Sequence, residues 1–185
     1  MKKAICSFIY HKVLGWKHKV SIPDYDKYII CAAPHTSNWD LIIGKLFYGA
    51  IGRKTLFMMK KEWFFEPLGT LFRSMGGIPV NRDKKNSLVD QMVEQANART
   101  TFHLAITPEG TRSANSEWKK GFYYIALKAQ IPILLAGIDY ATKCITIEKE
   151  IFPSGNIEED MRTIKLYFKG FQGKHPGQFT IGDIN

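Results

Sequence analysis

Two hydrophobic patterns alternate along the chain. Short apolar runs predict strands at residues 28–33, 55–59, 78–80, 102–107, 131–138 and 144–147. Segments with apolar residues at helical spacing predict helices at residues 40–51, 63–74, 87–99, 118–130 and 156–169. This alternation predicts an α/β fold: a single domain with a mixed, mostly parallel sheet flanked by helices.

Both ends of the chain differ from this pattern. Residues 1–20 carry five lysines and no acid, interleaved with apolar residues, which predicts a basic amphipathic helix able to lie in a lipid headgroup layer. A terminal helix packed on its own domain fits the same pattern. Residues 171–185 are rich in Gly, Gln, His and Pro, so we expect an irregular, loosely held tail.

Composition narrows the class of protein. With 185 residues, 45% of them hydrophobic, the chain can bury a core without a disulfide or a metal. The three cysteines form no Cys-x-x-Cys pair, which argues against a zinc site and favours a reducing compartment. No apolar run reaches the ~18 residues that span a bilayer, and no cleavable signal is evident. We therefore expect a cytoplasmic protein that meets the inner face of the membrane from one side.

The net charge of +9 predicts an anionic partner: nucleic acid, anionic lipid or an acidic carrier protein. The lysines are not combined with aromatic residues into any nucleic-acid reader motif, so we expect no nucleic-acid partner.

The segment with the clearest chemistry is residues 33–40, where a strand ends and a helix begins. A turn at Thr36–Asn38 would fold Asp40 back toward His35, and the dipole of the new helix would keep the carboxylate ionised. Such a pair fixes the imidazole tautomer and leaves one ring nitrogen free to accept a proton. Taken alone, the segment is more typical of a structural histidine at a helix start.

Two further segments place polar groups at strand ends. Residues 107–113 combine a Pro/Gly turn with Glu109, Thr111 and Arg112. In residues 76–82, paired glycines allow close backbone approach, and Arg82 could bind a phosphate. An ordinary surface turn is the alternative in both cases.

Together these segments resemble the lysophosphatidic acid and glycerol-3-phosphate acyltransferase family. The similarity covers about residues 29–138 in four ordered blocks: the His-x-x-x-x-Asp motif from His35 to Asp40, Gly-Ile-Pro-Val-Asn-Arg at 77–82, Pro-Glu-Gly-Thr-Arg-Ser at 108–113, and Ile-Pro-Ile at 131–133. The chain has Pro34, Asn81 and Thr107 where the family usually has Asn, Asp and Phe, which affects the expected acceptor more than the chemistry.

The resemblance implies an acyltransferase domain at residues 21–170 that acts in phospholipid biosynthesis. His35 would be the general base and Asp40 its orienting partner. Arg82 would bind the phosphate of the acceptor. Glu109, Gly110 and Thr111 would line or adjoin the acceptor pocket, with Arg112 as a second contact to an anionic group. The implied partners are a lysophospholipid acceptor and acyl-CoA or an acyl-carrier protein as co-substrate, with no cofactor and no metal.

The route and the location of the reaction can also be predicted. No Gly-x-Ser-x-Gly elbow is present and no cysteine has a histidine beside it, so we expect direct attack on the thioester without a covalent intermediate. The predicted helix at 63–74 suggests a membrane-docking face or, equally, a helix packed on the core; its docking residues would be Lys60, Lys61, Trp63, Phe64 and Phe72.

Two alternatives remain at this stage. The acceptor could be a non-phosphate lyso-lipid, such as an amino-lipid. The chain could also be a peripheral lipid-binding protein without catalytic activity.

Overall fold

The computed structural model describes residues 2–81 and 87–184. The strands of the described residues are β1 (Lys17–Val20), β2 (Lys27–Ala33), β3 (Leu56–Lys60), β4 (Gly77–Val80), β5 (Phe102–Ile106), β6 (Ile133–Asp139) and β7 (Cys144–Ile151). The α-helices are α1 (Lys2–Phe8), α2 (Trp39–Ala50), α3 (Leu68–Ser74), α4 (Leu88–Asn97), α5 (Gly121–Ala129) and α6 (Ile157–Phe168). A π-helical turn (Ile9–Val13) follows α1, and short 3₁₀ turns lie at Lys61–Trp63 and Pro176–Gln178.

In the part of the chain that the structure describes, the strands form one sheet in the order β1-β7-β6-β2-β5-β3-β4. All neighbouring strands run parallel except β6 and β7, which are antiparallel. This confirms the predicted α/β class with a mixed, mostly parallel sheet. The carboxyl ends of β2, β3, β4, β5 and β6 consequently share one edge of the sheet, which we call the C-edge.

Two hydrophobic cores lie on opposite faces of the sheet. Side chains of α4, α5 and α6 fill one core, whereas α2 and the N-terminal segment fill the other. Because β2 lies in the middle of the sheet and is covered on both faces, its sequence from Tyr28 to Ala33 is a continuous apolar run. Ser87 caps α4 by accepting a hydrogen bond from the Asp90 N–H, as the capping pattern predicts.

The predicted helix at 63–74 is wrong over its first half. Residues Lys61–Trp63 form a 3₁₀ turn, and α3 begins only at Leu68, directly after Pro67. Proline lacks the N–H that a helix interior requires and disfavours helical geometry at the residue before it, so no helix runs through Glu66 and Pro67. The apolar residues from Trp63 to Met75 therefore do not form one continuous helical stripe.

The N-terminal helix is shorter than the sequence predicts. Helix α1 ends at Phe8, and residues Lys17–Val20 form the edge strand β1 on β7 rather than continuing a helix. Cys6 packs closely against Gly49 of α2, while Ile5 and Phe8 stay exposed. The segment thus packs on its own domain and still presents apolar side chains to solvent. Within the described residues, no helix is both long and apolar enough to cross a bilayer.

The described part of the C-terminal tail contains a single 3₁₀ turn and is packed against the domain, so the expectation of loose attachment is wrong. The Phe171 ring covers Gly137 so closely that a side chain there would collide with it. Trp118 donates from its indole N–H to the carbonyl of Thr180 at 3.2 Å. These contacts bring the tail across the C-edge.

Candidate functional site

The loop between β2 and α2 brings His35 and Asp40 into contact at the C-edge. His35 Nδ1 lies 3.0 Å from Asp40 Oδ2. The same oxygen accepts the backbone N–H groups of Thr36 at 2.9 Å and Ser37 at 2.8 Å. Asp40 is the second residue of α2, so the turn folds its side chain back over the loop, as the sequence predicts.

The environment of Asp40 favours its ionised form. Burial acts to raise the pKa of this carboxyl group, but hydrogen bonds from His35, Tyr140 and Ser37 outweigh burial and hold the pKa below its usual value. An ionised carboxylate can only accept, so His35 Nδ1 carries a proton and Nε2 has the free lone pair. The His35 side chain is 21% exposed, which leaves its ring accessible.

Glu109 supports the backbone of this loop. It follows β5, the strand next to β2, and its two carboxylate oxygens lie 2.8 and 3.2 Å from the backbone N of His35, which donates to them. Burial raises the pKa of Glu109 to about 7, although the hydrogen bond from His35 acts in the opposite direction. Whereas the resemblance places Glu109 in the acceptor pocket, here its carboxylate faces the His35 loop.

The turn after Glu109 brings further predicted residues to the site. Gly110 has φ +68° and lies against the Lys119 side chain. Arg112 donates to the side-chain oxygen of Asn38, so its guanidinium lies at the start of α2. Thr111 is exposed and accepts a hydrogen bond from the Ser113 N–H at 3.3 Å. Arg82, the predicted phosphate ligand, lies outside the described residues.

A cavity of about 470 Å³ opens beside His35 and extends between α2 and the sheet. Its lining includes Asp40, Leu41, Gly44, Lys45 and Tyr48, which lie on successive turns of α2. At 1.5 Å per residue, Tyr48 lies about 12 Å from Asp40 along the helix. The opposite wall is formed by apolar residues of β2, β3, β5 and β6. A mostly apolar cavity with a few polar groups at one end is typical of a small-molecule site.

Gly44 and Lys45 have distinct roles in this cavity. A Cβ added at Gly44 would meet nothing within 4 Å, so the glycine leaves the cavity open at this turn of α2. Lys45 Nζ donates to the carbonyl oxygen of Thr55 at 3.0 Å and to that of Met75 at 2.5 Å. Burial lowers the pKa of Lys45. These bonds tie α2 to the segments that flank β3.

The C-terminal tail completes the surroundings of the loop. The His175 N–H donates to Thr36 Oγ1 at 3.2 Å, and a Cβ on Gly173 would collide with the Thr36 side chain. Lys174 Nζ lies 5.1 Å from the centre of the Trp39 ring, a cation–π contact. Two cationic groups, Arg112 and Lys174, therefore contact adjacent residues at the start of α2.

The predicted docking residues divide into two groups. Lys60 ends β3 at the C-edge, Lys61 and Trp63 follow it, and all three are exposed, with 52% of Trp63 accessible. Phe64 and Phe72 are half-buried and pack edge to face, with ring centres 6.0 Å apart.

A comparison with known protein families gives a match over more than half of the chain. The family model described as Acyltransferase matches residues 17–138, which include both the loop with His35 and the turn with Glu109. The chain belongs to the acyltransferase family.

Acyltransferases from three organisms are similar in sequence to this chain. The 1-acyl-sn-glycerol-3-phosphate acyltransferase beta of Homo sapiens is 28% identical over 99 residues, which cover 51% of this chain and 36% of that protein. The 1-acyl-sn-glycerol-3-phosphate acyltransferase of Streptococcus pneumoniae is 27% identical over 114 residues, 61% of this chain and 42% of that protein. The enzyme of that name from Cocos nucifera is 33% identical over 90 residues, 45% of this chain and 29% of that protein. The chain thus spans less than half the length of these relatives.

One solved structure has the same fold. The crystal structure of the 1-acyl-sn-glycerophosphate (LPA) acyltransferase PlsC from Thermotoga maritima superposes with a TM-score of 0.63 at 19% identity. The match covers 90% of this chain and 76% of that one.

Sequence reasoning missed several residues around the site. Tyr140 donates from its hydroxyl to Asp40 Oδ1 at 2.6 Å although it lies 100 residues away in the chain. Nothing in the local pattern indicates this contact or that of the tail with Thr36. Gly44 did give a signal, since a glycine inside a predicted helix costs stability and calls for an explanation.

Proposed function

We propose that this protein transfers a fatty acyl group from an acyl thioester to the hydroxyl of a lysophospholipid such as 1-acyl-glycerol-3-phosphate. The observation that carries the proposal is the His35–Asp40 pair at the open end of an apolar cavity. The family membership and the names of the relatives support the reaction class and the acceptor.

His35 acts as the general base in this proposal. Its Nε2 takes the proton of the acceptor hydroxyl as the oxygen attacks the thioester carbonyl. The tetrahedral oxyanion then collapses, the C–S bond breaks, and the leaving thiolate takes the proton back from Nε2. Asp40 orients the ring and stabilises the imidazolium, and a base held in this way contributes roughly 10²–10⁴ in rate.

A covalent acyl-enzyme receives no support from the neighbours of His35. Across residues 2–81 and 87–184, no serine, threonine or cysteine side chain hydrogen-bonds to its ring. Cys31 lies near the site on β2, but it is fully buried, and burial raises the pKa of its thiol well above the usual value. A protonated, inaccessible thiol is a poor nucleophile.

The acyl chain and the anionic group of the acceptor would occupy different parts of the site. The apolar walls between α2 and the sheet suit a fatty acyl chain, which would run past Gly44 from the mouth at His35. Arg112, at the start of α2, suits an anionic group outside the mouth. The resemblance to the family assigns the phosphate of the acceptor to Arg82 as well.

The C-edge would meet the membrane surface. Trp39 and Leu41 at the start of α2 are 45% and 47% exposed, and Phe65 after β3 is 55% exposed. Lys60 and Lys61 lie at the same edge, where each lysine near an anionic surface adds about 1 kcal/mol. Peripheral docking in this orientation would bring lipid acceptors to His35, while an acyl-CoA or acyl-carrier protein would approach from water.

The test is a matrix of donors and acceptors. Vesicles containing 1-acyl-glycerol-3-phosphate, a neutral lyso-lipid or an amino-lipid are incubated with isotopically labelled acyl-CoA or acyl-carrier protein, and products are identified by mass spectrometry. Label in a diacyl phosphate lipid supports the proposal. Label only in a neutral lyso-lipid or an amino-lipid supports the alternative acceptor. Vesicle binding without any labelled product would indicate a lipid-binding protein without catalytic activity.

A further inference from the structure

Tyr140 is linked directly to the carboxylate that orients His35. It lies in the turn between β6 and β7, and its hydroxyl donates to Asp40 Oδ1 at 2.6 Å. The other oxygen, Oδ2, already accepts from His35 Nδ1 and from the backbone N–H groups of Thr36 and Ser37. The two oxygens of Asp40 thus have separate partners: Oδ2 binds the catalytic loop, and Oδ1 binds Tyr140.

Contacts with two distant parts of the chain and with the neighbouring Asp139 fix the position of the Tyr140 hydroxyl. The Tyr140 backbone N–H donates to the carbonyl of Gln172 in the C-terminal tail at 2.8 Å. The Tyr140 ring packs edge to face on Trp16, with ring centres 5.0 Å apart. Asp139 holds the turn by accepting from the N–H groups of Ala141 at 3.2 Å and Gln172 at 3.1 Å. A phenol held this way loses little further freedom when it donates to Asp40.

The chemistry of the phenol suits donation alone. Burial and the hydrogen bond to Asp40 both raise the pKa of Tyr140, so the hydroxyl keeps its proton. The titratable groups facing Asp40 in the described residues are His35 from its own loop, Tyr140 from the turn after β6 and Glu109 from the loop after β5.

We propose that Tyr140 is a positioning residue for the proposed acyl transfer, holding Asp40 Oδ1 so that Oδ2 stays aimed at His35 Nδ1. The inference rests on the proposed function for its catalytic readout. Tyr140 does not line the cavity, so it acts through Asp40 rather than on substrate.

The test compares Tyr140→Phe with Tyr25→Phe in the full chain. Tyr25 is a matched control, since its hydroxyl also donates to a carboxylate, Glu150 Oε1 at 3.0 Å, away from the site. Tyr140→Phe is expected to lower kcat roughly ten- to hundredfold, the range for a hydrogen bond to a charged group, with KM for both substrates little changed. The acidic limb of its pH–rate profile is expected to move to lower pH, because Asp40 Oδ2 is held less firmly against His35. Tyr25→Phe should change neither quantity.

Two further measurements separate the failure of this inference from that of the proposed function. The ¹⁵N signals of the His35 ring should titrate at lower pH in Tyr140→Phe than in wild type and Tyr25→Phe, whether or not a substrate is known. In an Asp40→Asn background, Tyr140→Phe should have no additional effect on the titration. A titration that is unchanged or moves to higher pH, or the same shift without the Asp40 carboxylate, would overturn the positioning role. A shift with no acyl transfer from any thioester would instead count against the proposed function alone.

Discussion

Glu109 should make the stability of the protein depend on pH. Its carboxyl is buried, and burial raises the pKa from 4.5 to about 7. Each pKa unit corresponds to about 1.4 kcal/mol, so this difference is worth about 3 kcal/mol. Because the folded-state pKa lies above that of the unfolded chain, the contribution is fully present below about pH 4.5 and is lost as the pH rises through about 7.

The perturbation that exposes this contribution is Glu109→Gln. Glutamine keeps a carbonyl oxygen to accept the His35 N–H, but it does not ionise. We expect the wild type to lose about 3 kcal/mol relative to Glu109→Gln between about pH 4.5 and pH 8. Urea unfolding followed by tryptophan fluorescence at several pH values measures the difference.

An exposed glutamate provides the control. Glu94 lies on the solvent face of α4, and Glu94→Gln should leave the pH dependence of the wild type intact. A free-energy gap between wild type and Glu109→Gln that stays constant across the pH range would refute the reasoning. So would an equal effect of Glu94→Gln, since burial would then not be the cause.

Three further predictions concern the cavity, the acceptor and the membrane. Gly44→Ala should stabilise α2 by about 0.5–1 kcal/mol. Gly44→Leu should instead fill the cavity and shift transfer toward shorter acyl chains, as measured with a series of thioesters of different chain length. An unchanged chain-length profile would contradict the assignment of the cavity to the acyl chain. Arg82→Ala should raise KM for a phosphorylated acceptor and spare a neutral one, and equal effects would favour a non-phosphate acceptor. Replacing Lys60 and Lys61 by glutamine should weaken binding to anionic vesicles by about 2 kcal/mol and leave binding to neutral vesicles unchanged. An equal loss of binding to both kinds of vesicle would rule out electrostatic docking.

Local sequence signals predicted much of the fold and the centre of the site. The capping pattern of Ser87 and Asp90 located α4, and the turn before Asp40 predicted its contact with His35. Both depend on residues within one helical turn or tight turn, where backbone geometry allows few arrangements. Pro67 was an equally local signal and should have ended the helix predicted at 63–74.

The contacts that local patterns could not predict are those between distant segments. Strand β1 exists because residues 17–20 pair with β7, and their lysine-rich pattern carries no sign of that partner. Tyr140 reaches Asp40 only because β6 lies beside β2 in the sheet. The same holds for Gly173, whose close approach to Thr36 requires the whole tail to cross the C-edge. Such contacts follow from topology rather than from the periodicity of any one segment.

General-base catalysis by His35 is tested most directly by the rate of acyl transfer of a His35→Gln variant. The matched control is His103→Gln, which alters a histidine near the opposite end of the sheet. With equal folded fractions, His35→Gln should transfer acyl groups roughly 10²–10⁴-fold more slowly than the wild type, because no base remains to deprotonate the acceptor. His103→Gln should stay close to the wild-type rate. A His35→Gln protein that transfers acyl groups as fast as His103→Gln would contradict general-base catalysis at this site.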